Sequence, residues 1–436
     1  MEQEEFSYFE SLVLDALEGK LSAFRDENGK KAYIEKVAKE INREATDDEI
    51  KRVIADTNNF SPIDGYLSAD NVEDIMINNT SSVFIYKNDT GQTKAPEALS
   101  AAQLDALVKK MKMYATTEVA QKNIFDVHLP NGSRANIVNS PRGAAITIRN
   151  FRRKALSIID LINLGELSYS IAARLWLYVD GLRVRPANIL IGGMPATGKT
   201  TLLNAMLSFF RPETRLVVIE ETYELNTETQ ENTVRLETNP EITLEELVKN
   251  ALRMRPDTII IGEVRGREAK DMLTAMNIGK IVMGTIHASN ARDVIQRLQH
   301  TPMNVDQDII PLIDAIVMLS EINNKMRFTR KVSQISEISG IETKVLLSDL
   351  YQYDYKTGGS ADILPSVTYR DSLSRISGYT PVEIIVEEQR RAKILEQLNK
   401  RGVRQISDIN AFIKDYYDNP KAALTRIDSL SLGTLE

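Results

Sequence analysis

Eight consecutive residues constrain this chain more than any other feature. Gly193-Met194-Pro195-Ala196-Thr197-Gly198-Lys199-Thr200 reads G-x-x-x-x-G-K-T. The strand-like run Asn188 to Ile191 precedes it, and Leu202, Leu203, Met206 and Leu207 follow with helical spacing. A strand that passes through a glycine-rich loop into a helix is the setting in which this motif holds phosphate. The glycines let successive backbone N–H groups converge on anionic oxygens at a helix N-terminus, where the helix dipole adds to the attraction. Lys199 is expected to hold the β- and γ-phosphates of ATP, and Thr200 to ligate Mg2+. The nucleotide-binding set is therefore Gly193, Pro195, Ala196, Thr197, Gly198, Lys199, Thr200 and Thr201. A plain glycine-rich turn with a surface lysine would not require that strand and helix.

The residues around the loop alternate strand-like and helical segments from 168 to 345. Ile189-Leu190-Ile191, Leu216 to Ile219, Ile259-Ile260-Ile261, Ile281-Val282-Met283 and Ala315 to Leu319 are unbroken apolar runs. Runs of that kind suit strands buried on both faces of a mostly parallel sheet. Thr243 and Glu246 form a capping box before the helical face Leu244, Leu247, Val248, Ala251 and Leu252. Upstream, 57–152 reads as an α+β domain of short strands, turns and one helix, and 1–56 as amphipathic helices. Residues 153–167 read as a linker. Residues 346–436 read as a helical region, with helices over Pro381–Lys400 and Ser407–Tyr417. The expected architecture is an α/β P-loop NTPase domain with a preceding α+β domain and helical extensions at both ends, which a chain of 436 residues accommodates.

Carboxylates fall where a nucleotide would need them. Glu220 and Glu221 follow the second strand, and Glu263 follows the third. In an open parallel sheet, ligands bind beyond the carboxyl ends of the strands. One such acid can support Mg2+ through water, and another can polarise the attacking water. His287 ends a further strand and is a candidate γ-phosphate sensor. Arg134, Arg142 and Arg149 lie in the preceding domain, from which arginines can be recruited to neutralise transition-state charge.

Composition removes several other chemistries. There is no cysteine, which excludes disulfides, thiolate metal sites and cysteine nucleophiles. His128, His287 and His300 are the only histidines, too few for a multi-histidine metal centre. The net charge of −7 weighs against bulk nucleic-acid binding. No apolar run approaches the roughly 18 residues of a bilayer span, and the acidic start Met1 to Glu5 is unlike a signal peptide.

Taken in order, these motifs resemble those of the type II/IV secretion ATPases that power pili, secretion and archaeal swimming filaments. Ile219-Glu220-Glu221-Thr222-Tyr223-Glu224-Leu225 is similar to that family's acidic box, and Leu252 to Asp257 leading into Ile261 to Gly266 to its Walker B segment. Gly284-Thr285-Ile286-His287-Ala288 is similar to its histidine box, and Ile148-Arg149-Asn150-Phe151 to the end of its arginine-bearing segment. Ile159 to Ile162, Ala173 to Leu177, Pro302 to Val305 and Leu346 to Leu350 resemble the archaeal branch. Glu221 stands where the family usually has Asp, and Lys280 where many members have a histidine.

The resemblance implies a RecA-like core and a homo-hexameric ring that clamps ATP and Mg2+ between its two domains. It implies a cytoplasmic engine at the inner face of the membrane, driving a polytopic membrane platform protein, with no nucleic acid. Glu263 would position or activate water, Glu220 would support the metal shell through water, and His287 would sense the γ-phosphate. Arg134 and Arg149 would stabilise that phosphate. An ATP-binding ring with little turnover, prompted by Glu221 and Lys280, and a nucleic-acid translocase stand as alternatives.

Overall fold

A computed structural model describes residues 3–24, 27–42, 44–69, 71–87, 90–96, 98–141, 143–150, 155–239, 241–324, 327–356, 358 and 363–429. They fall into two compact units, Met1–Lys154 and Ala155–Glu436.

The first unit carries six strands: β1 (Val72–Asn79), β2 (Ser82–Lys87), β3 (Gly91–Lys94), β4 (Ile124–His128), β5 (Arg134–Ser140) and β6 (Gly143–Arg149). They form one sheet in the order β3-β2-β1-β6-β5-β4, and every neighbouring pair is antiparallel. Apolar and polar residues alternate along these strands because one face is covered and the other is not. The cover includes the helix Ala101–Met113 and the helices Gln3–Ala16, Glu27–Ile41 and Asp47–Thr57. Val13, Leu17, Ile34 and Val53 share a single core with Ile75, Ile77, Leu107, Ile146 and Ile148. The segment 1–56 is therefore part of the same body as the α+β module it precedes.

The second unit is built on eight strands: β7 (Ile189–Gly193), β8 (Leu216–Glu220), β9 (Thr233–Glu237), β10 (Thr258–Val264), β11 (Ile281–Ile286), β12 (Ala315–Asn324), β13 (Arg327–Ile341) and β14 (Val345–Gln352). Their order is β14-β13-β12-β7-β11-β10-β8-β9. From β12 to β9 every pairing is parallel, whereas β13 and β14 add as an antiparallel edge. Counting β7, β8, β10, β11 and β12 as one to five, the parallel core runs 5-1-4-3-2, a RecA-like arrangement with the loop strand inside the sheet. β7 and β8 are buried along their whole length, as unbroken Val/Ile/Leu runs require.

Two boundaries differ from the sequence reading. Strand β14 crosses the expected edge at 345, because polar residues interrupt β13 and β14, which so lack the longer unbroken runs that mark strands buried on both faces. The segment 153–167 is not a bare linker: Ile158, Ile159 and Leu161 of the helix Ile158–Asn163 enter the second unit's core. The C-terminal helices join that core as well. Arg174 makes a two-pronged contact with Glu388 at 2.9 Å and 2.9 Å, and Arg391 another with Asp180 at 2.6 Å and 3.0 Å. Buried Glu337 accepts from the Thr368 and Tyr369 N–H groups, tying the start of the helix Thr368–Ser377 to β13. Among the described residues no helix is long and apolar enough to cross a membrane.

Candidate nucleotide site

The loop between β7 and the helix Lys199–Met206 folds into a tight cradle. Ala196 and Gly198 are left-handed, with φ of 64° and 92°. At Gly193 a Cβ would lie 2.4 Å from Thr197 Oγ1 and 2.8 Å from the Leu319 carbonyl, so only glycine fits. Thr197 Oγ1 donates to the Met194 carbonyl at 2.8 Å and fastens the loop across its base. Lys199, only 7% exposed, begins the helix and donates to the same carbonyl at 3.1 Å. A buried cation at a helix N-terminus, behind a loop that admits no side chain, fits a polyphosphate. Thr200 and Thr201 follow in the first turn of the same helix.

The carboxyl ends of β10 and β11 bring Glu263 and His287 to this lysine. Lys199 Nζ lies 3.2 Å from His287 Nδ1, and His287 Nε2 lies 2.7 Å from Glu263 Oε1. An imidazole whose Nδ1 carries no proton can accept from Lys199 and leaves Nε2 beside the carboxylate. Burial, and then the Lys199 charge, hold the imidazole below its ordinary value against the pull of Glu263. For Glu263, burial alone would raise the carboxyl. The hydrogen bond from Arg265, the charges of His287 and Arg265, and finally Lys199 reverse that, leaving it below its usual range. Arg265 Nη2 donates to Glu263 at 2.7 Å and Nη1 to Glu221 at 3.0 Å, so one guanidinium joins two strand-end acids.

A titration can check this arrangement, since only three histidines contribute signals. The His287 ring proton is expected to titrate with a midpoint below the ordinary 6.5, and Lys199→Ala should move that midpoint up. Folding lowers this pKa, so the neutral ring contributes stability above about pH 6.5 that fades as the pH falls through its folded value. A midpoint that Lys199→Ala leaves unchanged would show that the lysine does not face the ring.

Glu220 sits differently from the sequence expectation of a metal-shell acid. It is 2% exposed, and Oε1 accepts from the Glu224 and Leu225 N–H groups at 2.8 Å and 2.9 Å. Oε2 accepts from Arg235 Nη2 at 3.2 Å. Both oxygens thus brace the turn after β8 and its tie to β9. Burial pushes the carboxyl above its usual range despite these donors. Among the described residues no group of three or more His, Asp or Glu is poised to hold a metal ion.

Arg134 and Arg149 face each other across β5 and β6, both exposed. His128 stands beside Arg134 on β4, and Asp74 beside Arg149 on β1. Arg134 Nη2 lies 3.3 Å from Asp126 on β4, so each of the two arginines has an acid close by. Arg142 and Phe151 lie outside the described residues. Lys280 opens β11 and donates to the Pro256 carbonyl at 3.1 Å, at the strand end opposite His287.

Sequence reading gave no role to Arg265, although its place two residues after Glu263 was the available signal. It also passed over Glu166 and Arg330. A Cβ on Gly198 would lie 3.3 Å from Arg330 Cδ and 3.9 Å from Glu166 Oε2, so both border the phosphate loop. Neither belongs to a motif, and only the packing of β13 brings them there.

Comparison with known proteins follows the same outline. The family model described as type II/IV secretion system protein matches residues 56–344. The uncharacterized protein MJ0900 of Methanocaldococcus jannaschii is 32% identical over 311 residues, covering 68% of this chain and 56% of that protein. The chain thus spans just over half of that relative's length. The type IV secretion system protein VirB11 of Bartonella henselae is 26% identical over 322 residues, covering 62% of this chain and 90% of its own. Among solved structures, the ATPase DotB of Legionella pneumophila aligns with a TM-score of 0.47 at 17% identity, over 80% of this chain and 92% of that one.

Proposed function

This chain belongs to the type II/IV secretion system protein family, and from that premise we propose that it is a Mg2+-dependent ATPase. In this reading it works as a homo-hexameric motor at the inner face of the cytoplasmic membrane. It would drive a polytopic platform protein that assembles a pilus-like filament or exports protein. The observation that carries the reading is the line Lys199–His287–Glu263, which links the phosphate loop to the strand-end acid through one imidazole.

Lys199 would leave the Met194 carbonyl and the ring to meet the β- and γ-phosphates. His287 would then lose its donor, and the Glu263 contact beside it would change with nucleotide state. Glu263 would orient and accept the proton of the attacking water, which is general-base work. Bound Mg2+, on Thr200, would supply charge neutralisation for the transferring phosphate. Arg134 and Arg149 would add positive charge to the γ-phosphate, and Glu220 would keep the acidic turn rigid.

Phosphate release by the purified chain tests the reading. Hydrolysis is expected with Mg2+ and should fall to background when the metal is chelated, with hexamers detected by light scattering under the active condition. Hydrolysis that survives chelation would remove the metal from the scheme.

One observation favours a second reading, the ring with little turnover. Arg265 ties Glu263 to Glu221 and lowers the basicity of the proposed base. The shorter side chain of Glu221→Asp would loosen that tie. A faster rate in that variant would support the restraint, and an unchanged rate would argue against it.

A further inference from the structure

At the amino ends of the parallel strands, the edge opposite the phosphate loop, a cavity of about 300 Å³ opens among the segments leading into β7, β8, β10 and β11. Three cations line it, Arg183, Arg211 and Lys280, along with three acids, Asp180, Glu213 and Asp257. Two of the acids are paired with a cation, and the third accepts from a backbone N–H. Asp180 accepts from Arg391 at 2.6 Å and 3.0 Å, Glu213 lies 3.0 Å from Arg211, and Asp257 accepts from the Arg215 N–H at 2.8 Å. Arg183 and Lys280 have no carboxylate partner among the described residues. Lys280 donates to the Pro256 carbonyl, and the Arg183 guanidinium lies 5.5 Å from the Tyr417 ring.

Arg183 is set on this wall by an unusual backbone. Gly181, Leu182 and Arg183 are left-handed in succession, with φ of 51°, 52° and 68°. Two of the three carry a Cβ that this conformation penalises. Arg255, with φ of 55°, directly precedes Pro256, which also lines the cavity. Strain of this kind persists where the surroundings enforce it, and it collects at ligand sites.

We infer that this cavity is a second anion site, one that takes phosphate or a small phosphate monoester. Arg183 and Lys280 outnumber Asp257, the one lining acid without a cation partner, so the lining favours an anion, and the several oxygens of a phosphate can meet both cations at once. An arginine fork together with a lysine point charge also suits phosphate geometry. The site is separate from the nucleotide loop. Lys280 and His287 stand at opposite ends of β11, roughly 23 Å apart at about 3.3 Å per residue.

Calorimetry with inorganic phosphate on the full chain carrying Lys199→Ala isolates this cavity, and its outcome does not depend on whether the chain hydrolyses ATP. Saturable binding is expected. It should weaken about tenfold with Arg183→Gln or Lys280→Gln and further with both, as the loss of a charge-assisted hydrogen bond predicts. Unfolding curves that match the parent would show that these variants fold. Glycerol 3-phosphate in a second arm separates the sources: tighter binding than inorganic phosphate assigns a monoester, and weaker binding assigns free phosphate. Failure of the Lys199→Ala chain to bind either probe, or undiminished binding by a folded double variant, overturns the site.

Discussion

Replacing Glu263 with glutamine is expected to slow ATP hydrolysis by about 10²–10⁴-fold while leaving ATP affinity within a few-fold of the parent. Glutamine keeps the shape at the end of β10 and can still face Arg265 and His287. It removes the one property that proton transfer needs, an ionised carboxylate, which the Arg265 hydrogen bond and neighbouring charges hold below its usual range against burial. Lys199→Ala should behave differently, because Lys199 is the cation of the phosphate cradle. That variant is expected to lose binding and hydrolysis together. Steady-state phosphate release paired with equilibrium binding of a fluorescent ATP analogue separates the two patterns. A glutamine variant that hydrolyses at the parental rate would move the base elsewhere, and Glu221, on the other branch of Arg265, would be the next acid to examine.

The parts of this molecule that sequence could reveal are those fixed by local pattern. An unbroken apolar run needs both faces covered, so β7, β8, β10 and β11 were legible one strand at a time. The strand, glycines and helix of the phosphate loop sit in one contiguous stretch, and their geometry follows from residue type. Glu263 and His287 were legible because each ends such a run. Glu220 was not, because its role depends on the Glu224 and Leu225 N–H groups folding back and on Arg235 arriving from β9. Three neighbouring glutamates in sequence thus have unlike surroundings: Glu220 is buried and braced, Glu221 is tied to Arg265, and Glu224 turns its backbone toward Glu220.

Long-range partners were the other blind spot. The Arg174 guanidinium and the Glu388 carboxylate are 214 residues apart, and each taken alone reads as a surface charge. The strand-poor look of the chain after 345 has the same origin. β14 is an edge strand whose apolar residues are interrupted by Ser348 and Asp349, and its pairing with β13 is settled by the sheet already in place.

That pair gives the largest expected stability effect. Arg174 is 1% exposed and Glu388 is largely buried, with burial raising the carboxyl above its ordinary range against the attraction of Arg174. Removing one partner strands a charge in an apolar interior, which typically costs about 3–5 kcal/mol. Glu388→Ala is therefore expected to destabilise the second unit by that amount, read as a lower midpoint in urea unfolding followed by Trp176 fluorescence. Trp176 is the only tryptophan and lies in the same core. Arg174→Met combined with Glu388→Leu should recover most of the loss, since an apolar pair of similar volume avoids the desolvation of two charges. If the double variant is as unstable as Glu388→Ala, the pair contributes through shape and the Leu364 carbonyl contact instead of charge. If Glu388→Ala itself is neutral, the helix Pro381–Lys400 is held by its apolar face and by the Arg391–Asp180 contact without need of this pair.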